Sequence, residues 1–207
     1  MISRTHLSTI LFVAAVIWGA FLVADGVSVS LSWIRPLSAV TGALLVLLTV
    51  FDRWGWRLPF LYPWFVSVPD VQGTWKGEVI SNWADPSTGE RIPPLQAFMV
   101  IRQTFSSISM RMIAADSSSE LLGGAILRDL DGNHKIIGTY RNTPRLLKRN
   151  VSPIHHGSVI LDVIGSPPHR LAGEYWTDRD TKGELNFSQR RAQLFRDFSA
   201  ASEAYRV

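Results

Sequence analysis

Between Asp131 and Asp162 the chain carries no acidic residue, yet this stretch holds Lys135, Arg141, Arg145, Lys148 and Arg149, with His134, His155 and His156. Its centre, GTYRNTPRLLKRN (Gly138–Asn150), sets Tyr140 among four cations. A guanidinium presents a planar fork of donors that matches phosphate, and a tyrosine ring is a surface on which a base stacks. Following a strand, such a segment places these groups at a barrel mouth. The same residues also describe a solvated basic loop, or one that faces anionic lipid headgroups. A second group, GEYWTDR (Gly173–Arg179), puts Tyr175 beside Trp176. Neighbours on a strand point to opposite faces, so one ring is core and the other lies on a surface or in a groove. An exposed ring of that size suits base stacking or self-association. Arg102 in FMVIRQ and Arg111 in SMRMIA sit in apolar strand contexts. A guanidinium in a lumen needs an anionic partner, whereas one facing outward needs only water. The candidate ligand residues are Tyr140, Arg141, Arg145, Lys148, Arg149, Tyr175 and Arg111.

Catalytic patterns are missing. There is no H-E-x-x-H, no G-x-S-x-G and no P-loop. Cysteine is absent, which excludes disulfides and thiolate chemistry and is compatible with the cytosol. Asp116, Asp162 and Asp178 are scattered, and His155, His156 and His169 with Asp162 match no metal-ligand spacing. The expectation is a binding protein without enzyme activity, cofactor or metal. The net charge of +4 does not by itself argue for bulk binding to a DNA or RNA polymer.

The elements that must position these groups fall into two parts. Up to Val66 there are four Lys/Arg and two Asp/Glu, out of 21 and 17 in the whole chain. LSTILFVAAVIWGAFLVA (Leu7–Ala24) has no charge, and a membrane-spanning helix needs about 20 mainly apolar residues. SAVTGALLVLLTVF (Ser38–Phe51) extends back through Leu37, Pro36 and Ile34, with Arg35 placed to snorkel. A cleaved signal peptide is the rival for the first run, but no A-x-A site follows it and a second apolar run does. Trp33, Trp54, Trp56 and Trp64 lie where aromatic belts are found. Arg4 before the first helix and Arg53 and Arg57 after the second outweigh Arg35 in the turn beside Asp25. That bias favours cytoplasmic termini. Small residues four apart, Ala15 with Gly19 and Ser38 with Gly42, allow close helix packing, within the hairpin or between subunits. The expected organisation is a two-helix hairpin over 1–56 and a Pro/aromatic interfacial linker over 57–69.

Beyond Pro69, alternating short apolar runs replace helical periodicity. They predict strands near 73–80, 96–104, 107–115, 120–128, 134–142, 157–164, 170–178 and 184–190. Turn formers at 85–89, 131–133 and 180–183 separate them, and SPPH (166–169) cannot continue a ladder. Eight strands with no intervening helix suggest a closed up-and-down barrel or a sandwich. The fold expected is all-β and membrane-anchored: an antiparallel eight-stranded, lipocalin-like barrel over 70–191, then a short helix or tail over 192–207. In GTWKGEV, Gly73, Trp75, Gly77 and Val79 share the inner face, with Trp75 closing the barrel floor. Thr74, Lys76 and Glu78 are expected to be wet. Large aromatics such as Trp75 and Phe98 are expected to leave little room inside.

Two N-terminal spans, a Pro-rich aromatic linker, GTWKGEV and about 120 strand-rich residues together give the chain a familial likeness. It resembles the SMODS-associated effectors with two transmembrane helices and a β-strand-rich domain, which act in bacterial cyclic-oligonucleotide-based anti-phage (CBASS) defence. The sharpest local element is Gly-Thr-Trp-x-Gly (Gly73–Gly77), although lipocalin-type barrels also open with Gly-x-Trp. The resemblance implies a cytosolic barrel that binds a cyclic di- or oligonucleotide made by a nucleotidyltransferase-type cyclase. It further implies homo-oligomerisation in the inner membrane, disruption of the bilayer and cell death. It carries no individual ligand residue over. The alternatives are a tethered lipocalin-like carrier of a lipid or other apolar ligand, and a structural protein of the envelope.

Overall fold

A computed structural model describes residues 4–24, 26, 31–85 and 87–206. The chain divides into two compact units, 1–66 with 104–106, and 67–103 with 107–207.

In the first unit, α1 (Arg4–Ala24) and α2 (Leu31–Arg53) coincide with the two apolar runs. Phe12, Ile17, Trp18, Val40 and Leu47 on these helices are exposed. Among the described residues no helix is long and apolar enough to cross a membrane. Asp25 and the side chains of Arg4, Trp33, Arg35 and Ser38 lie outside the described residues. Two single 3-10 turns follow α2, Gly55–Arg57 at the junction with the predicted linker and Pro59–Leu61 within it, with Trp54, Phe60 and Trp64 exposed and Trp56 buried.

The second unit is a closed barrel of eight antiparallel strands, each paired with the next and the first closing on the last. The strands are β1 (Gly73–Ser81), β2 (Leu95–Gln103), β3 (Ile108–Ala114), β4 (Ser117–Arg128), β5 (His134–Pro144), β6 (His155–Ile164), β7 (Arg170–Thr177) and β8 (Lys182–Arg191). Closure excludes the sandwich. Bonds from Ser87 hold the Asp85 carboxyl below the usual range; at Asp129 desolvation is the largest single influence and pushes up, but the bonds from Asn133 and the nearby Lys135 together outweigh it and leave that carboxyl lowered as well.

One end of this barrel is sealed. Trp75 is 0% exposed, and its indole N–H donates to Val71 O at 2.9 Å, the partner a buried indole needs. The chain leading into β1 is fastened across the same end. Gln103 Oε1 accepts from Val71 N–H at 2.9 Å, and its Nε2 donates to Pro69 O at 3.0 Å. The Arg190 guanidinium donates to Asp70 O at 2.8 Å and to Gln72 O at 2.6 and 2.9 Å, with its carbon 5.4 Å from the Trp75 ring centre. The predicted floor is present, and it is tied to the incoming linker.

The outer wall departs from expectation. Thr74 is buried rather than wet, because residues 193–205 fold back over it. Its hydroxyl donates to Gln193 O at 2.7 Å and accepts from Phe195 N–H at 3.2 Å, while the Tyr205 hydroxyl donates to Thr74 O. Helix α3 (Phe198–Ala204) starts at Asp197, whose carboxylate accepts from Ala200 N–H at 2.8 Å. Phe98 points outward into this cover, 5.4 Å from the Phe198 ring and 5.5 Å from that of Tyr205. The inward residues of β2 are Ala97, Met99 and Ile101. Phe98 therefore takes no space from the lumen, and the lumen is roomier than the sequence suggested.

Candidate functional site

At the end opposite the Trp75 seal the lumen opens as a cavity of about 320 Å³. That lies at the low end of small-molecule sites, roughly 300–1,000 Å³. The position follows from topology. In an up-and-down barrel the end of β1 and the starts of β2, β4, β6 and β8 share one rim, and residues from all of them line the space.

The deep wall is apolar. Met99, Met110 and Met112 come from β2 and β3, with Leu121, Val159 and Leu185 completing it. Unbranched thioethers adapt to the outline of a ligand and contact aromatic rings favourably. Three aromatics lie higher up: Tyr140, Tyr175 and Trp83. Two glycines make room for the tyrosines. Tyr140 pairs across the ladder with Gly157, where an added Cβ would stand 2.6 Å from the phenol and 2.4 Å from Trp176 O. Tyr175 pairs with Gly183, where a Cβ would stand 2.7 Å from the ring. Gly157→Ala is therefore expected to displace Tyr140 and cost about 1–3 kcal/mol as overpacking. Gly123→Ala, where a Cβ meets nothing within 4 Å, is the matched control, and thermal melts of the two variants check the difference.

Burial raises the Tyr140 phenol above its ordinary pKa, and neighbouring Tyr175 and Asp178 push the same way. Tyr140 therefore stays a neutral donor at neutral pH. The polar groups form a tier above the methionines. Asn142 Nδ2 donates to Ser119 Oγ at 2.9 Å, and the Thr177 and Thr181 hydroxyls lie 2.7 Å apart. Arg179, on the β7–β8 turn, donates from Nη1 to Ser152 Oγ at 3.0 Å. Among the described residues lining the cavity, Arg179 is the one with a permanent charge. Asp178 and Asp180 flank it in the chain, but among the described residues neither carboxylate forms an ion pair with it; that of Asp178 accepts the His156 backbone N–H at 3.1 Å and lies 3.6 Å from the His156 ring.

The structure sorts the sequence candidates into three groups. Tyr140 and Tyr175 both line the cavity, and Trp176 faces outward at 44% exposure. Arg145, Lys148 and Arg149 lie on the 145–154 loop at the mouth but not in the lining. Lys148 is 3.4 Å from Asp116, and Arg149 Nε donates to Pro144 O at 3.1 Å. Arg141 is exposed on the outer face, opposite Glu120 and His156. Arg111 points outward as well and donates to Phe195 O at 3.3 Å and Arg196 O at 2.9 Å, fastening the C-terminal cover. Arg102 is also exposed. Among the described residues no group of three His, Asp or Glu side chains gathers as a metal site.

Sequence reasoning missed Arg179, Asn142, Ser119 and the methionine wall. Asn142 shares its strand face with Tyr140, so period-2 alternation carried a signal for it. Arg179 sits in a turn, where alternation says nothing.

The arrangement offers an apolar cavity with aromatic walls, a hydrogen-bonding tier and a cation at the rim. No curated protein matches the chain. Residues 66–189, more than half of its 207 residues, match the family described as Cap15, cyclic dinucleotide receptor domain. This bears out the likeness to the CBASS effectors seen in the sequence: the chain belongs to the Cap15 cyclic dinucleotide receptor family, and its receptor domain is the barrel.

Proposed function

We propose that the barrel binds a cyclic dinucleotide with one base inserted between the methionine wall and the tyrosines and the phosphates held at the mouth by Arg179. The observation that carries this is the position of Arg179, the one permanently charged side chain among the described residues that line an apolar, aromatic-walled lumen, in a chain of this receptor family. A cyclic dinucleotide joins flat bases to phosphates, and the two surfaces meet those two chemistries. Arg145, Lys148 and Arg149 on the adjacent loop add a positive field that attracts the anion before it docks.

Binding would act on the membrane through self-association. Support comes from the uncharged run Leu7–Ala24, from the second apolar run and from the exposed Trp54 and Trp64. Gly19 and Gly42 have open space where a Cβ would go, which suits helix packing against another copy. In this reading the protein is a bacterial inner-membrane effector with its termini and barrel in the cytoplasm. The ligand favours the assembled state, and assembly disrupts the bilayer and kills the infected cell. A ligand shifts such an equilibrium only by its differential affinity for the two states.

The test is titration of detergent-purified full-length protein with a panel of cyclic dinucleotides, followed by calorimetry and sedimentation. Micromolar or tighter binding with a rise in sedimentation coefficient is expected. Absence of both across the panel would sink the proposal. The methionine wall favours a second reading, a lipid or other apolar ligand, and a fatty acid belongs in the same panel.

A further inference from the structure

The described residues of the barrel unit contain four buried polar side chains: Thr74, Gln103, Ser119 and Asn142. Two of them are structural. Thr74 holds the C-terminal cover and Gln103 holds the incoming linker, each through backbone groups. Ser119 and Asn142 are different. They are direct cross-strand partners on β4 and β5, 6% and 8% exposed, and both line the cavity. The bond from Asn142 Nδ2 to Ser119 Oγ is the only hydrogen bond that the described residues give either side chain.

That leaves the Asn142 carbonyl oxygen and one of its two amide N–H groups without a protein partner at the wall of a mostly apolar lumen. The carbonyl oxygen is not sealed off in the wall but open to the cavity, where water or a ligand meets it. A strand whose only task was to close the barrel would do better with an apolar residue here. The Ser119 bond restrains the amide plane, and the groups left over at the cavity wall are one acceptor and one donor of the same amide.

We infer that Asn142, oriented by Ser119, is the base-reading residue of the lumen, taking a nucleobase edge that offers a donor beside an acceptor. The N6–H/N7 edge of adenine is the standard bidentate partner of an asparagine amide. The height of the pair fits the task. Tyr140 is two residues away on the same face of β5, and Leu121 two residues away on the same face of β4. A base lying against that tyrosine presents its edge to the amide. This inference rests on the proposed seating of a base in the lumen and adds the contact that selects among bases.

The test uses Asn142→Leu, which keeps the branched outline and the heavy-atom count and removes the edge. Calorimetric titration of the full-length variant and the parent against adenine-, guanine- and uracil-containing cyclic dinucleotides is read together with thermal melts. The expected result is a loss of about 10- to 100-fold for the preferred ligand, the worth of one bidentate contact, with the spread among bases collapsing. The melting temperature is expected to fall slightly, since the Ser119 hydroxyl loses its one side-chain partner, and the order of base preference is the readout that a merely structural Asn142 would not move. Ser119→Ala, which keeps the amide but frees its plane, is expected to narrow the base preference with a smaller loss of affinity, and it serves if the leucine variant does not fold. Parental affinity and base order in the variants would overturn the inference while leaving the lumenal site standing. A parent that binds no cyclic dinucleotide would overturn the lumenal site, and this inference with it.

Discussion

Replacing Trp75 by alanine is expected to destabilise the barrel by about 3–5 kcal/mol, the usual cost of truncating a fully buried aromatic. Trp75 is the largest side chain with no exposure, it sits where β1 begins, and its removal leaves a void at the sealed end of the lumen. The linker loses a contact at the same time, because the indole N–H no longer holds Val71 O and Arg190 no longer has a ring beneath it. At roughly 2–4 °C per kcal/mol for a domain of this size, the melting temperature should fall on the order of 10 °C. Trp75→Phe keeps most of the packing and gives up the indole bond, so a smaller loss is expected. A denaturant series on the three proteins measures both. Equal stability of Trp75→Ala and the parent would show that the floor is held by something other than this ring. The expected effect on ligand is indirect, since Trp75 lies at the end away from the cavity mouth.

The second large effect is expected at Arg179. Arg179→Ala should weaken cyclic dinucleotide binding about 10- to 100-fold, the worth of a charge-assisted contact of about 1.5–3 kcal/mol. Arg179→Lys should recover part of this, because an ammonium keeps the charge but lacks the planar fork. Stability should hardly change. The arginine occupies a surface turn, and its one side-chain bond goes to Ser152 on the neighbouring loop. Arg145→Ala, Lys148→Ala and Arg149→Ala test the residues that stood out in the sequence. They lie beyond the lining, so their removal should slow association and flatten its salt dependence more than it alters dissociation. Association and dissociation rates at two salt concentrations separate these cases. A larger loss from the loop cations than from Arg179 would move the phosphate site out onto the loop.

Sequence and structure agree where a rule is local. Alternation over Gly73–Val79 set Trp75 facing in, and the glycines and prolines between runs marked the turns that let each strand pair with the next. The same alternation separated Tyr175 from Trp176. It did not reveal the cover over Thr74 and Phe98, because the residues that bury them lie roughly 100 or more positions away in the chain. Strand periodicity tells which residues share a face, but whether an outer face stays wet depends on what folds against it.

The candidate site divides in the same way. The sequence by itself determined an all-β unit, its strand order, its sealed end and, of the candidate ligand residues, Tyr140 and Tyr175 in the lumen. Composition drew attention to a run of cations that the fold leaves mostly at or outside the rim. Only the tertiary structure brought together Arg179 from a turn, Asn142 and Ser119 from paired strands, and methionines from β2 and β3. The physical reason is the closure of the barrel. A strand's own pattern fixes inside against outside, whereas the height at which side chains from eight different strands meet is set by the register of pairings between them, which no single segment encodes.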